Sequence, residues 1–139
     1  MALNSPQPVK HTTQDLVNRT HYDEIQRLTQ SAVYLTLQRT ATATDYTALI
    51  SDAYIGVTST AAPRTITLPT AADAGAGKVY YIKDESGAAA TNNITIDGAG
   101  AETIDGTATV AITLNYGGIA IIGNGTAWFR LIREAAVLG

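Results

Sequence analysis

Cysteine is absent from this 139-residue chain, and histidine occurs only twice. No disulfide scaffold can form, and no thiolate can act as metal ligand or nucleophile. His11 and His21 stand ten apart with no third ligand at metal spacing, so both read as solvated or helix-seam residues. Aromatic residues make up only 6% of the chain, against 45% for all hydrophobic types. A core has to be built from Ile, Leu, Val and Ala, which bury less area per residue than rings do. Charge is sparse too, at 15% of residues, with a net charge of −3 and a pI near 5.2. The nine Lys and Arg are spread from Lys10 to Arg133, which argues against the basic patch of a nucleic-acid face. No apolar run approaches the roughly 18 residues of a membrane span. The stretch "MALNSPQPVK" lacks a basic n-region and an apolar h-region, so no signal peptide is expected. Neither nucleic acid nor membrane is an expected partner.

What is present falls into three parts. Residues 1–11 hold Pro6 and Pro8, each of which fixes its own φ and restricts the residue before it. This is an extended arm, and Pro6, Pro8, Val9 and Lys10 are its candidate docking residues. Residues 12–32 contain no Gly or Pro and open with Thr12 and Thr13, either of which can cap a helix. Asp23 and Glu24 precede Arg27 by four and three residues, the spacing at which helix side chains meet. Ile25, Leu28, Ala32 and Leu35 step by 3, 4 and 3, a seam of about two heptads that could align several chains. A single amphipathic helix folded on its own domain fits the same pattern.

From residue 33 to 139 the period changes to two, with Val33, Leu35 and Leu37 alternating against Tyr34, Thr36 and Gln38. Further strands are expected at 46–50, 54–57, 65–68, 78–83, 93–96, 109–114, 118–122 and 127–132. The segments between them are rich in Gly, Asn, Asp and Pro. Asn124-Gly125 reads as a two-residue hairpin loop, since both types tolerate φ > 0. The fold class is therefore mainly β: an arm and helix followed by an antiparallel β-sandwich or prism-like domain. Its expected core or subunit-packing residues are Ile66, Leu68, Ile82, Ile94, Ile96, Leu114, Ile121, Trp128 and Leu131.

Little in the sequence offers chemistry. The β region has neither His nor Cys, so nucleophilic catalysis is unsupported. "DGAGAETIDG" brings Asp97, Glu102 and Asp105 close in sequence, but Gly and Ala stand where a calcium loop needs oxygens. "GAGK" at Gly75–Lys78 lacks the phosphate-loop spacing and enters a strand rather than a helix. Trp128 sits beside Phe129 and Leu131 on the last strand, which favours packing over ligand stacking. No catalytic residue, metal site or cofactor is expected.

Several fragments in order carry a resemblance. They are the strand start at Asp45-Tyr46, "TITLP" at 65–69, "GKVYYIKDESG" at 77–87, "NNITI" at 92–96, "TIDG" at 103–106 and "NGTAWF" at 124–129. Together they resemble a β-rich module of tailed-bacteriophage structural proteins, over roughly residues 44–132. The resemblance implies a trimer-forming structural unit without catalytic residues. The implied function is a virion structural protein, favouring a homotrimeric capsid decoration (cement) protein or short head fibre. Its N-terminal segment would hold the major capsid protein or another virion component. Made in the host cytoplasm, it would reside on the capsid surface. A tail-fibre, collar or baseplate component is the alternative. A receptor or carbohydrate-binding module is another, if Tyr80, Tyr81, Tyr116 and Trp128 form an exposed cluster.

Overall fold

The structure is a computed structural model that describes residues 36–132. The arm residues Pro6, Pro8, Val9 and Lys10 and the seam residues Ile25, Leu28, Ala32 and Leu35 lie outside the described residues. The described residues form nine strands: β1 (Arg39–Thr42), β2 (Tyr46–Thr47), β3 (Tyr54–Val57), β4 (Arg64–Thr67), β5 (Val79–Asp84), β6 (Ile94–Asp97), β7 (Thr109–Ile112), β8 (Gly118–Gly123) and β9 (Trp128–Ile132). Thr36–Gln38 is not strand, and the first strand among the described residues begins at Arg39. The fold is mainly β, as the sequence predicts.

Its topology differs from the antiparallel expectation. Sheet A has the order β1-β3-β5-β8-β9 and sheet B the order β2-β4-β6-β7. Up to β6 the chain alternates between them, so β1, β3 and β5 pair in parallel, as do β2, β4 and β6. A parallel pair needs a connection long enough to return the chain to its starting end. Here that return runs through a strand of the other sheet instead of through a helix. Only the later pairs β6–β7, β5–β8 and β8–β9 are antiparallel. Each sheet is therefore mixed. Period-two alternation reports which side chains face inward, and it is blind to the direction of the neighbouring strand.

The inward residues of both sheets merge into one hydrophobic cluster. Ile55, Val57, Tyr80, Ile82, Ile119 and Ile121 come from sheet A, and Ile66, Ile94, Ile96, Val110 and Ile112 from sheet B. These are mostly β-branched side chains, which suit a pleated surface. Ile66, Leu68, Ile82, Ile94, Ile96, Ile121 and Trp128 of the expected set are buried. Leu114 is half-buried. Leu131, expected in the core or at a subunit contact, is not core: it is 52% exposed, the extra residue where the β8–β9 register shifts. A bulge of this kind adds one unmatched residue to one strand.

Two turns also differ from their sequence reading. The segment 69–77, expected as a loop, contains one helical turn, α1 (Ala71–Ala74). Thr70 caps it by accepting from the Asp73 amide at 3.1 Å, and Gly75 ends it with φ of 83°. The final hairpin forms, but its loop spans Asn124–Ala127, because Gly123 pairs with Trp128. Asn124 does not take positive φ. Its Oδ1 instead accepts from the Thr126 and Ala127 amides and from the Thr126 hydroxyl, at 2.8–2.9 Å. Asn's ability to bond its own following backbone won over its tolerance of the left-handed region.

Candidate functional surface

Asp52 and Asp84 are the buried charged side chains among the described residues. An unpaired carboxylate would be costly there, and each is surrounded by donors. Asp84, at the end of β5, has Oδ1 accepting from the Ser86 amide (2.9 Å), the Ser86 hydroxyl (2.6 Å) and the Gly87 amide (3.0 Å). Its Oδ2 accepts from the Ala89 and Tyr116 amides, both at 3.0 Å. One side chain thus fastens the β5–β6 connection and the β7–β8 turn. Burial pushes Asp84 up, but the bonds from Ser86, Ala89, Tyr116 and Gly87 outweigh it and hold the carboxyl below its usual range. Tyr116 is held at φ 58°, an uncommon conformation for a bulky residue. Its ring lies so close over Gly87 that a Cβ there would meet it at 2.3 Å.

Asp52 does the same for the chain entry. Oδ1 accepts from the Thr40 hydroxyl (2.6 Å), and Oδ2 from the Tyr46 hydroxyl (2.9 Å) and the Leu49 amide (2.8 Å). Burial raises its pKa, and these three bonds together with nearby Lys78 bring it below the ordinary value. Lys78, the last residue of "GAGK", donates to the Asp52 carbonyl and lies 4.8 Å from the centre of the Tyr80 ring. Its chain runs directly into β5. Burial, with Asp52 and Tyr46 nearby, pushes the Tyr80 phenol up to about 12.

The remaining acidic candidates are dispersed. Glu102 accepts from the Ala71 amide and from the Trp128 indole N–H at 3.0 Å, orienting a fully buried ring that sits 5.7 Å from Tyr80. Asp105 accepts from the Arg130 amide (3.1 Å) and its Nε (2.6 Å). With the Trp128 amide donating to Thr103 O and the Asp105 amide to Trp128 O, this loop covers part of the outer edge of β9. Asp97 lies on sheet B between Thr67 and Thr109. Asp97, Glu102 and Asp105 therefore do not converge, and no group of three His, Cys, Asp or Glu meets among the described residues. "DESG" carried the signal for Asp84, because Asp two and three residues before free amides is an Asx-turn arrangement.

The outward faces of the two sheets differ in chemistry. On sheet B the rows across the strands are Thr47–Thr67–Asp97–Thr109 and Thr65–Thr95–Ala111. On sheet A they are Val79–Ile122–Phe129 and Tyr54–Tyr81–Ala120. Tyr81 and Phe129 are 38% and 41% exposed. Between Tyr54, Tyr81, Lys83, Gly118 and Ala120 lies an open depression of about 180 Å³. Arg39 makes an ion pair with Glu85 beside it, and Tyr54 donates to the same carboxylate at 3.1 Å. The Arg39 guanidinium, with Tyr54, holds Glu85 below its usual pKa. Of the four aromatic residues that might have formed one exposed cluster, Tyr80 and Trp128 are buried, while Tyr81 and Tyr116 are exposed. No helix among the described residues is long and apolar enough to cross a membrane. No protein-family model matches the chain, and no curated protein matches it.

Proposed function

We propose that this chain is a structural protein of a tailed-bacteriophage virion, acting as a homotrimeric capsid decoration protein or short head fibre. In this reading the domain is a sandwich-like projection, and its N-terminal segment anchors it to the major capsid protein or another virion component. The observation that carries the reading is the division of labour among side chains. Asp52, Asp84 and Glu102 hold loops and rings in place, while the outward face of sheet A presents apolar groups suited to contact. The order of fragments resembling phage structural modules supports it. The mechanism is mechanical: three arms on neighbouring capsomers tie them together, and joint binding raises avidity without strong single contacts.

Co-sedimentation with empty capsids tests this directly. The full chain should sediment with capsids, and deletion of residues 1–11 should abolish binding while the remaining chain keeps its oligomeric mass. Binding that survives the deletion refutes anchoring through the arm. Antibody labelling at the tail instead of the head would assign the chain to a fibre, collar or baseplate.

A further inference from the structure

We infer that the outward face of sheet A is the surface on which copies of this chain pack against one another. This rests on the self-associating reading above and gives it a location. Sheet B is a poor candidate, since its outward rows are threonines and an aspartate whose hydroxyls and charge are well served by water. Sheet A instead exposes Tyr81, Phe129 and Leu131 at 38%, 41% and 52%, beside half-buried Val79 and Ile122.

Size and charge both favour a second copy as the occupant. Five strands of four to six residues, about 4.8 Å apart and rising about 3.3 Å per residue, give a projected face of roughly 400 Å². Its exposed large apolar groups, Tyr81, Phe129 and Leu131, occupy part of that area. The face as a whole is about half of the roughly 800 Å² one partner contributes to a standard interface, and flanking loops can supply the rest. Identical copies brought together by symmetry place like groups near like groups. Among the charged groups at this face, Arg39 is paired with Glu85, and Lys83, which lines the depression, lies close enough to lower the pKa of the same carboxylate. The Glu85 carboxylate thus offsets part of the positive charge that neighbouring copies would bring together. The depression over Gly118 and Ala120 offers a socket for a protruding side chain of the neighbour.

The test measures solution mass by light scattering on the full chain, with Tyr81→Glu and Phe129→Glu on this face and Thr109→Glu on sheet B as control. The wild type and the control should show about three times 14.5 kDa, and the two face variants a single chain mass. The near-UV signal of buried Trp128 should be unchanged in all four. Because the chain has no cysteine, Phe129→Cys and Thr109→Cys give a second readout that needs no buried charge. Maleimide labelling should be about ten-fold slower at residue 129 than at 109 when the chain is associated, and similar on dilution. An associated wild type whose mass and labelling ignore the face changes overturns this inference and leaves self-association standing. In that case, faster labelling at residue 129 after deletion of residues 133–139 would assign the face to the chain's own end. A wild type of single-chain mass at every concentration overturns both readings.

Discussion

Replacing Asp84 by Asn isolates what the buried carboxylate does, because shape is kept while charge and one acceptor are lost. In the native chain Oδ1 serves three donors and Oδ2 serves the Ala89 and Tyr116 amides. The amide oxygen of Asn can keep the three-donor site, which leaves its NH₂ facing two N–H groups. Each orphaned donor costs about 1–3 kcal/mol, and bonds to a charged acceptor are stronger than to a neutral one. Water can reach exposed Tyr116, whereas Ala89 is fully buried. A loss of about 3 kcal/mol follows, a fall in melting temperature of roughly 12–24 °C for a domain of this size. The assay is thermal unfolding followed by Trp128 fluorescence at a fixed chain concentration. A second signature appears in acid. Folding lowers the Asp84 pKa, so its contribution is intact above the unfolded value near 3.9 and is lost as pH falls through the folded value. Asp84→Asn should remove that part of the acid slope. A variant melting within about 2 °C of wild type, with an unchanged acid slope, would refute the argument.

Other residues give shorter tests. Glu102→Ala leaves the Trp128 indole N–H and the Ala71 amide without their acceptor, and should cost about 2–4 kcal/mol. Urea unfolding measures the loss, and a shifted Trp emission maximum should accompany it. Asn124→Ala removes three bonds at an exposed turn where water can replace them, so about 1 kcal/mol is expected from the same unfolding experiment. Tyr80, raised to about 12, contributes stability that is full below the unfolded value near 10 and is lost as pH rises from there toward 12. Ultraviolet titration should show the alkaline unfolding transition of Tyr80→Phe moved to higher pH, unless loss of the hydroxyl's bond to Leu49 O dominates. Equal transitions in both proteins would contradict the assignment.

Strand positions were legible because Ile and Val alternate with Thr in short runs closed by Gly, Asn and Asp. β3 matches its expected bounds, and β4 to β9 fall within two residues of theirs. The pairing was not legible. Nothing in "TITLP" states that Ile66 lies beside Ile96 in parallel, since partner choice is settled by tertiary packing. Leu131, expected in the core or at a subunit contact, is exposed on β9, and three residues from inward Trp128 alternation itself turns it outward. The long-range part of what Asp84 and Glu102 do was not legible, because their donors Tyr116 and Trp128 lie 32 and 26 residues away in the chain. The apolar character of sheet A was only half visible. Tyr81, Ile122 and Phe129 are in the sequence, but which face they share depends on register.

The direction of the terminal strands of sheet A bears on how the domain responds to tension. β1 and β9 lie at opposite edges and run in the same direction, because two antiparallel pairings separate β9 from the parallel set. A load applied between Arg39 and Ile132 pulls the start of one edge strand against the end of the other. Inter-strand bonds stand across the strands, so such a load shears whole ladders at once and does not peel them one bond at a time. Resistance to that load is governed by the unfolding rate, not by the equilibrium population of open forms. A chain gripped at its entry and drawn outward at its far end is thus oriented for high rupture force.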